Sequence, residues 1–182
     1  MGNPAGLVTA DEFARIPDDD HRHELVEGRV VRMSPPGAVH AVLASRIASI
    51  LQQHVDAHRV GVVLSSGGFR LAADPDTVRE PDIAFVRRER IPPKGIPEGF
   101  WPGPADLAVE IRSPGDRSTE IATKVKDYLN RGVRLVWVVD PKLKTVTIHR
   151  RLAIPVIVGI KGTLDATDVV DGFVCEVSRI FA

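Results

Sequence analysis

The chain has a single cysteine, Cys175. A lone thiol cannot close an internal disulfide, and no Cys/His zinc spacing can form around it, which excludes a disulfide framework and fits a reducing cytoplasm. An excess of charge of either sign is also missing. Lysine plus arginine and aspartate plus glutamate number 24 each, so the formal net charge is +0. That balance argues against a protein that coats nucleic acid by bulk charge, and it leaves room for an enzyme with a local basic rim around an acidic metal site. No long apolar run occurs. The strongest, Leu135–Val139, is far too short to span a membrane. Met1–Gly6 has neither the basic residues nor the apolar core of a signal peptide, and position 6 lacks the Ser/Thr of a myristoylation site. The expected compartment is the cytoplasm, with no membrane partner. Internal repeats and low-complexity tracts are absent as well.

What is present is ordinary in bulk and unusual in detail. A length of 182 residues predicts one domain over 1–182, large enough to bury its own core. Thr9-Ala10-Asp11-Glu12 has the form of a capping box and predicts a short helix through Arg15, stopped by Pro17. Asp18-Asp19-Asp20 reads as a solvated turn. Two β-rich arms around Glu27-Gly28, within His23–Met33, predict a hairpin. His40–His58 reads as the longest helix, with Leu43, Ile47, Ile50 and Leu51 as its apolar stripe. His40, His54 and His58 fall along one side of it. They are either polar tips of a half-buried helix or, for His40 in the first turn, a group facing a site.

Val60–Ser65 and Phe69–Leu71 read as a strand pair around Ser66-Gly67-Gly68, and Arg79–Val86 as the next strand. A long Pro/Gly-rich connection from Arg87 to Pro104 carries Arg87, Arg88, Arg90 and Lys94, and either serves function or covers a core edge with Phe100-Trp101. Asp106–Arg112 predicts a strand, and Ser118 or Thr119 caps a helix to Asn130, stopped by Gly132. Leu135–Asp140 and Thr145–Arg150 predict a hairpin, and Ile154–Ile160 another strand. The order predicts an α/β or α+β class with a mixed central sheet.

Two apolar strands each hold a carboxylate where packing would want none. Side chains alternate along a strand, so Ala108, Glu110 and Arg112 share one face of their strand, and Asp82 shares one with Ala84. The small alanines leave space beside each acid. Read singly, Glu110 pairs with Arg112, Asp82 is a polar strand start, and Lys124 pairs with Glu120 one helical turn earlier. Read together, two carboxylates and a lysine are the groups needed to hold a divalent metal and activate water against a phosphodiester.

Pro81-Asp82, Val109-Glu110-Ile111-Arg112-Ser113-Pro114, Lys124 and Tyr128 before Gly132-Val133, and Val136-Trp137-Val138-Val139-Asp140-Pro141 resemble the Uma2 family (DUF820). His23-Glu24-Leu25-Val26-Glu27-Gly28, Met33-Ser34-Pro35-Pro36 with His40, and the closing Val169–Phe181 do so too, so the resemblance spans nearly the whole chain. These are restriction-endonuclease-like proteins of the PD-(D/E)XK superfamily. The resemblance implies a mixed central sheet flanked by helices, with an added N-terminal helix and β-hairpin. It implies a magnesium- or manganese-dependent endonuclease acting on DNA, with Asp82 and Glu110 as metal ligands and a homodimer as an allowed assembly. RNA is an alternative substrate, and a catalytically inactive binding module on the same scaffold is the competing function. One position departs from the superfamily pattern. Two residues after Glu110 stands Arg112, where a lysine is the rule, and arginine cannot act as a base. In the Uma2 variant the lysine migrates to the next helix, which assigns the role to Lys124. Glu24 and His40 match further polar positions and complete the expected site.

Overall fold

The computed structural model describes residues 6–17 and 21–182. The turn expected at Asp18-Asp19-Asp20 and the Met1-Gly2 start lie outside them. In chain order the elements are α1 (Ala10–Phe13), β1 (His23–Val26), β2 (Arg29–Arg32), α2 (Ala38–His58), β3 (Gly61–Ser65), β4 (Phe69–Ala72), β5 (Thr77–Arg79), β6 (Ile83–Arg87) and β7 (Trp101–Pro102). β8 (Leu107–Ile111), α3 (Ser118–Asn130), β9 (Leu135–Asp140), β10 (Thr145–Arg150), β11 (Val156–Gly159), β12 (Thr163–Asp165), β13 (Val174–Glu176) and α4 (Ser178–Phe181) follow.

A six-stranded sheet runs β11-β10-β9-β8-β6-β3. Only β8 and β9 pair in parallel, and α3 makes the crossover between them, so the sheet is mixed, as the sequence predicts. β8 and β9 are almost continuous apolar runs because both their faces are covered. On one face, Leu107, Val109 and Ile111 of β8 meet Leu43, Ile47, Leu51 and Val55 of α2 and the closing segment around Phe173 and Ile180. Val55 rather than Ile50 completes the buried stripe of α2, and Ile50 sits at its margin. On the other face, Ala108 packs with Val125 and Tyr128 of α3 and with Val136 and Val138 of β9. Glu110 alternates with Ala108, so β8 sends its carboxylate toward α3.

A second sheet, β2-β1-β5-β4-β7, lies on the α3 side, where Phe69 and Trp101 pack on Ala84 and Val86 of β6. α1, started by its own capping box, docks on it through Ala10, which packs with Leu25 and Val78, and through Asp76, whose carboxylate accepts from the Ala10 N–H at 2.6 Å. This second sheet changes two expectations. β3 and β4 do not pair with each other; β3 joins β6, while β4 joins β5 and β7. Ser66-Gly67-Gly68 is therefore a passage between sheets, not a hairpin turn. Nor is Arg79–Val86 one strand. Pro81 has no N–H to give a ladder, and Glu80-Pro81-Asp82 carries the chain from β5 in one sheet to β6 in the other. α3 also starts differently. Position 117 is its cap, and the Glu120 carboxylate accepts from the Arg117 N–H at 3.3 Å, so Ser118 and Thr119 do not cap it. Gly132, at φ +102°, ends that helix in a conformation that only glycine enters freely.

β3 lies so close to β6 that a Cβ on Gly61 would come within 2.2 Å of the Val86 carbonyl oxygen and 2.6 Å of the Phe85 ring. Backbone cannot yield as a side-chain tip can. Gly61→Ala is expected to destabilise the protein by about 1–3 kcal/mol, measured by urea unfolding with the slope unchanged. A midpoint equal to that of the parent would show that the sheet edge relaxes freely.

Candidate active site

β6 and β8 are antiparallel neighbours with Ile83 opposite Val109, which puts Asp82 beside Glu110 at one end of the sheet. The Ile111 N–H donates to Asp82 Oδ2 at 2.8 Å and fixes that carboxylate against the end of β8. Its other oxygen, Oδ1, takes Arg22 Nη1 at 3.2 Å and His40 Nε2 at 3.1 Å. His40 stands in the first turn of α2, and its Nδ1 lies 3.2 Å from Ser113 Oγ.

Lys124 comes from α3 and sits between two acids, 3.1 Å from Glu24 Oε1 and 3.2 Å from Glu110 Oε2. Glu24, on β1, also accepts from Arg79 Nη1 at 2.7 Å and from the Glu80 N–H at 3.1 Å. Arg79 extends its other nitrogen to Asp127 of α3. Tyr128, one helical turn after Lys124, donates to Glu110 Oε1 at 2.6 Å. All five residues singled out by the sequence, Glu24, Asp82, Glu110, Lys124 and His40, therefore line one cavity of about 530 Å³.

The charges do not balance evenly across it. Burial pushes the Glu110 carboxyl up to about 7, with Lys124 and the Tyr128 hydroxyl opposing and Asp82 and Glu24 adding to the rise. Burial would raise Asp82 too, but the hydrogen bond and charge of His40, the Ile111 N–H and Arg22 hold it below its ordinary value. Glu24 is likewise held low despite burial, by Lys124 and Arg79. Burial would lower Lys124, yet Glu110 and Glu24 keep it raised and charged. The negative charge that these cations leave uncompensated falls on Glu110.

Among the described residues, no group of three or more His, Cys, Asp or Glu side chains is arranged to hold a metal ion. A magnesium-like ion needs less, one or two carboxylates with water and substrate oxygens supplying the rest. Asp82 and Glu110 provide hard oxygen donors side by side, and Glu110 carries the electrostatic deficit that a cation would relieve. On both counts the residues fit a divalent ion.

Two pairings expected from sequence do not form, and a basic cluster lies away from the site. Arg112 reaches Asp140 at 3.2 Å and the Ser118 hydroxyl at 3.1 Å, not Glu110, because β8 ends at Ile111 and the side chain leaves over β9. Glu120 turns back to its helix cap and leaves Lys124 to the two buried acids. The Arg87–Lys94 cluster lies at the opposite end of β6 from Asp82 and lines no part of the cavity. Arg87 donates to the Val169 and Asp168 carbonyls, and Arg90 pairs with Asp106 at 2.9 Å. Arg79 and Arg22 are the site residues that sequence reading missed. Tyr128 stands among the residues that carry the family resemblance, but nothing in the sequence marks it as the donor to Glu110.

A family model described as "Uma2: Putative restriction endonuclease" matches residues 10–178. The fold is also that of a solved structure, described as a "putative nuclease belonging to DUF820 from Anabaena variabilis ATCC 29413". The two superpose with a TM-score of 0.84 over 96% of this chain and 97% of that one, at 21% identity. No curated protein matches the chain.

The geometry separates Lys124 from Arg112 by stability. Lys124→Ala strips the shared partner from two buried carboxylates and is expected to cost about 3–5 kcal/mol. Arg112→Ala removes a partly exposed pair with Asp140 and is expected to cost no more than about 1 kcal/mol. Thermal melts of the two variants decide it, and equal losses would contradict the assignment of partners.

Proposed function

The chain belongs to the Uma2 family, and from that membership together with its site we propose a metal-dependent endonuclease that hydrolyses DNA phosphodiester bonds. The observation that carries the reading is the buried pair Asp82 and Glu110 with Lys124 against it, in one cavity. Asp82 and Glu110 would hold magnesium or manganese. The ion, when bound, supplies Lewis acidity and lowers the pKa of a coordinated water. Lys124, fixed by Glu24 as well as Glu110, presents an ammonium to the phosphate oxygen on which charge develops. Glu24 positions that lysine and is itself held by Arg79. His40, held between Asp82 and Ser113, would move a proton to or from the leaving oxygen.

A second reading, a nuclease-fold binding module without catalysis, is favoured by one observation. Each oxygen of Asp82 and Glu110 already has a protein partner. On that reading no ion enters.

Purified protein is expected to nick supercoiled plasmid in magnesium or manganese and to stop in EDTA. Asp82→Asn, which keeps the shape of the side chain, is expected to lower the rate by about a hundredfold or more. Nicking that persists both in EDTA and in Asp82→Asn would remove the hydrolytic reading.

The pH dependence follows from Glu110. Its proton competes with a cation, so the melting-temperature rise given by a fixed manganese concentration should grow as pH rises through about 7 and then level off. Without metal the sign for this group reverses. A carboxyl held above its unfolded value favours the folded state below that value and loses the advantage as pH rises through about 7. A manganese shift that is flat from acid to alkaline pH would mean that Glu110 is not a ligand.

A further inference from the structure

We propose that the site accepts single-stranded DNA and excludes the interior of an intact duplex. The inference rests on the endonuclease reading and deepens it by naming the substrate form. The reactive groups lie at the bottom of a slot: Glu110 is 5% exposed, Asp82 7%, and the Lys124 side chain 12%. One wall is the β1–β2 hairpin. Glu24 pairs across it with Val31 and Val26 with Arg29, so Val26 and Val31 share the hairpin face of Glu24. Val26, Val31 and Met33 line the cavity, as do Ile121 and Thr123 of α3. Pro36 and His40 line it as well.

The cavity therefore holds aliphatic side chains beside buried charged groups. It suits a nucleotide whose base rests on aliphatic side chains while its phosphate goes down to Lys124 and the carboxylates. The volume, about 530 Å³, falls within the range of about 300 to 1,000 Å³ of pockets that enclose a small ligand. A base within a duplex is paired and stacked, so it can rest on these side chains only after leaving the helix. Enzymes whose pocket takes up a base act on single strands or extrude the nucleotide, and extrusion from a paired duplex carries a free-energy penalty. Arg29, exposed on the same hairpin face as Val26, and Arg32, at the cavity edge, offer cations to the phosphates on either side.

The test compares single-turnover cleavage in manganese with fluorescence-anisotropy binding in calcium. The probes are one labelled oligodeoxynucleotide as a single strand, the same sequence as a blunt duplex, and that duplex bearing a single-stranded flap. Val31→Trp fills the slot from a position 41% exposed, so it does not overpack the core; Val31→Ala is its control. The single strand and the flap are expected to be cut and bound at least about tenfold better than the blunt duplex. Val31→Trp should abolish that preference at an unchanged melting temperature, and Val31→Ala should keep it. Relaxed closed-circular plasmid should be nicked more slowly than supercoiled plasmid, whose torsion opens base pairs. Equal cleavage of single strand and blunt duplex overturns the inference and leaves the endonuclease reading standing. No cleavage with any metal, beside a single-strand binding preference that Val31→Trp removes, sinks the hydrolytic reading and upholds the slot. No preference in binding and none in cleavage overturns the slot.

Discussion

The ammonium of Lys124 is the interaction on which the site depends. It joins β1, β8 and α3 by touching Glu24 and Glu110 at once. Those three elements belong to the second sheet, the central sheet and the crossover helix, so one side chain ties together the layers that enclose the cavity. Glu24 could not stay ionised at its depth without Lys124 and Arg79. Arg79 in turn reaches Asp127 on α3, which anchors the helix a second time. The network therefore locks the layers together at the cavity, and a change to any member disturbs that lock.

Its electrostatics are distributed unequally. Asp82 receives a backbone N–H, an imidazole and a guanidinium, and is held low. Glu24 shares two cations and is also held low. Glu110 has one shared cation and one neutral hydroxyl, and two other acids nearby, so it takes up the excess. Neighbouring carboxylates whose affinities for a proton are pushed apart are the expected pattern of a working site, since one stays ionised while the other exchanges its proton for a different cation.

The readable part of the sequence was local. Alternation along β8 placed Glu110 and Ala108 on one face, and the capping box, the first hairpin and α2 followed from short-range spacing. What could not be read was pairing at a distance. Glu24 lies 55 positions from Arg79, and nothing near either announces the other. Val60–Ser65 and Phe69–Leu71 are both strand-like and separated by a glycine pair, so a hairpin was the natural reading; only the existence of two sheets separates them. Arg87, Arg88 and Arg90 look like a phosphate-binding run because sequence shows charge without partners. In the fold, Arg87 and Arg90 are committed to backbone carbonyls and to Asp106 at the wrong end of the strand.

The lysine that stands on α3 instead of two residues after Glu110 follows from this topology. Parallel strands need a crossover, and the one between β8 and β9 is α3. α3 packs Val125 and Tyr128 on the β8 face that carries Ala108, and Glu110 is the next residue on that face. A helix fixed there must present its neighbouring positions to Glu110, and Lys124 and Tyr128, separated by one turn, are those positions. Position 112 has no such access. The strand ends at Ile111, and the side chain that follows is drawn to Asp140 at the end of β9. The fold thus offers a second route by which an ammonium reaches the carboxylate, and it frees position 112 for an arginine whose permanent charge closes the sheet end.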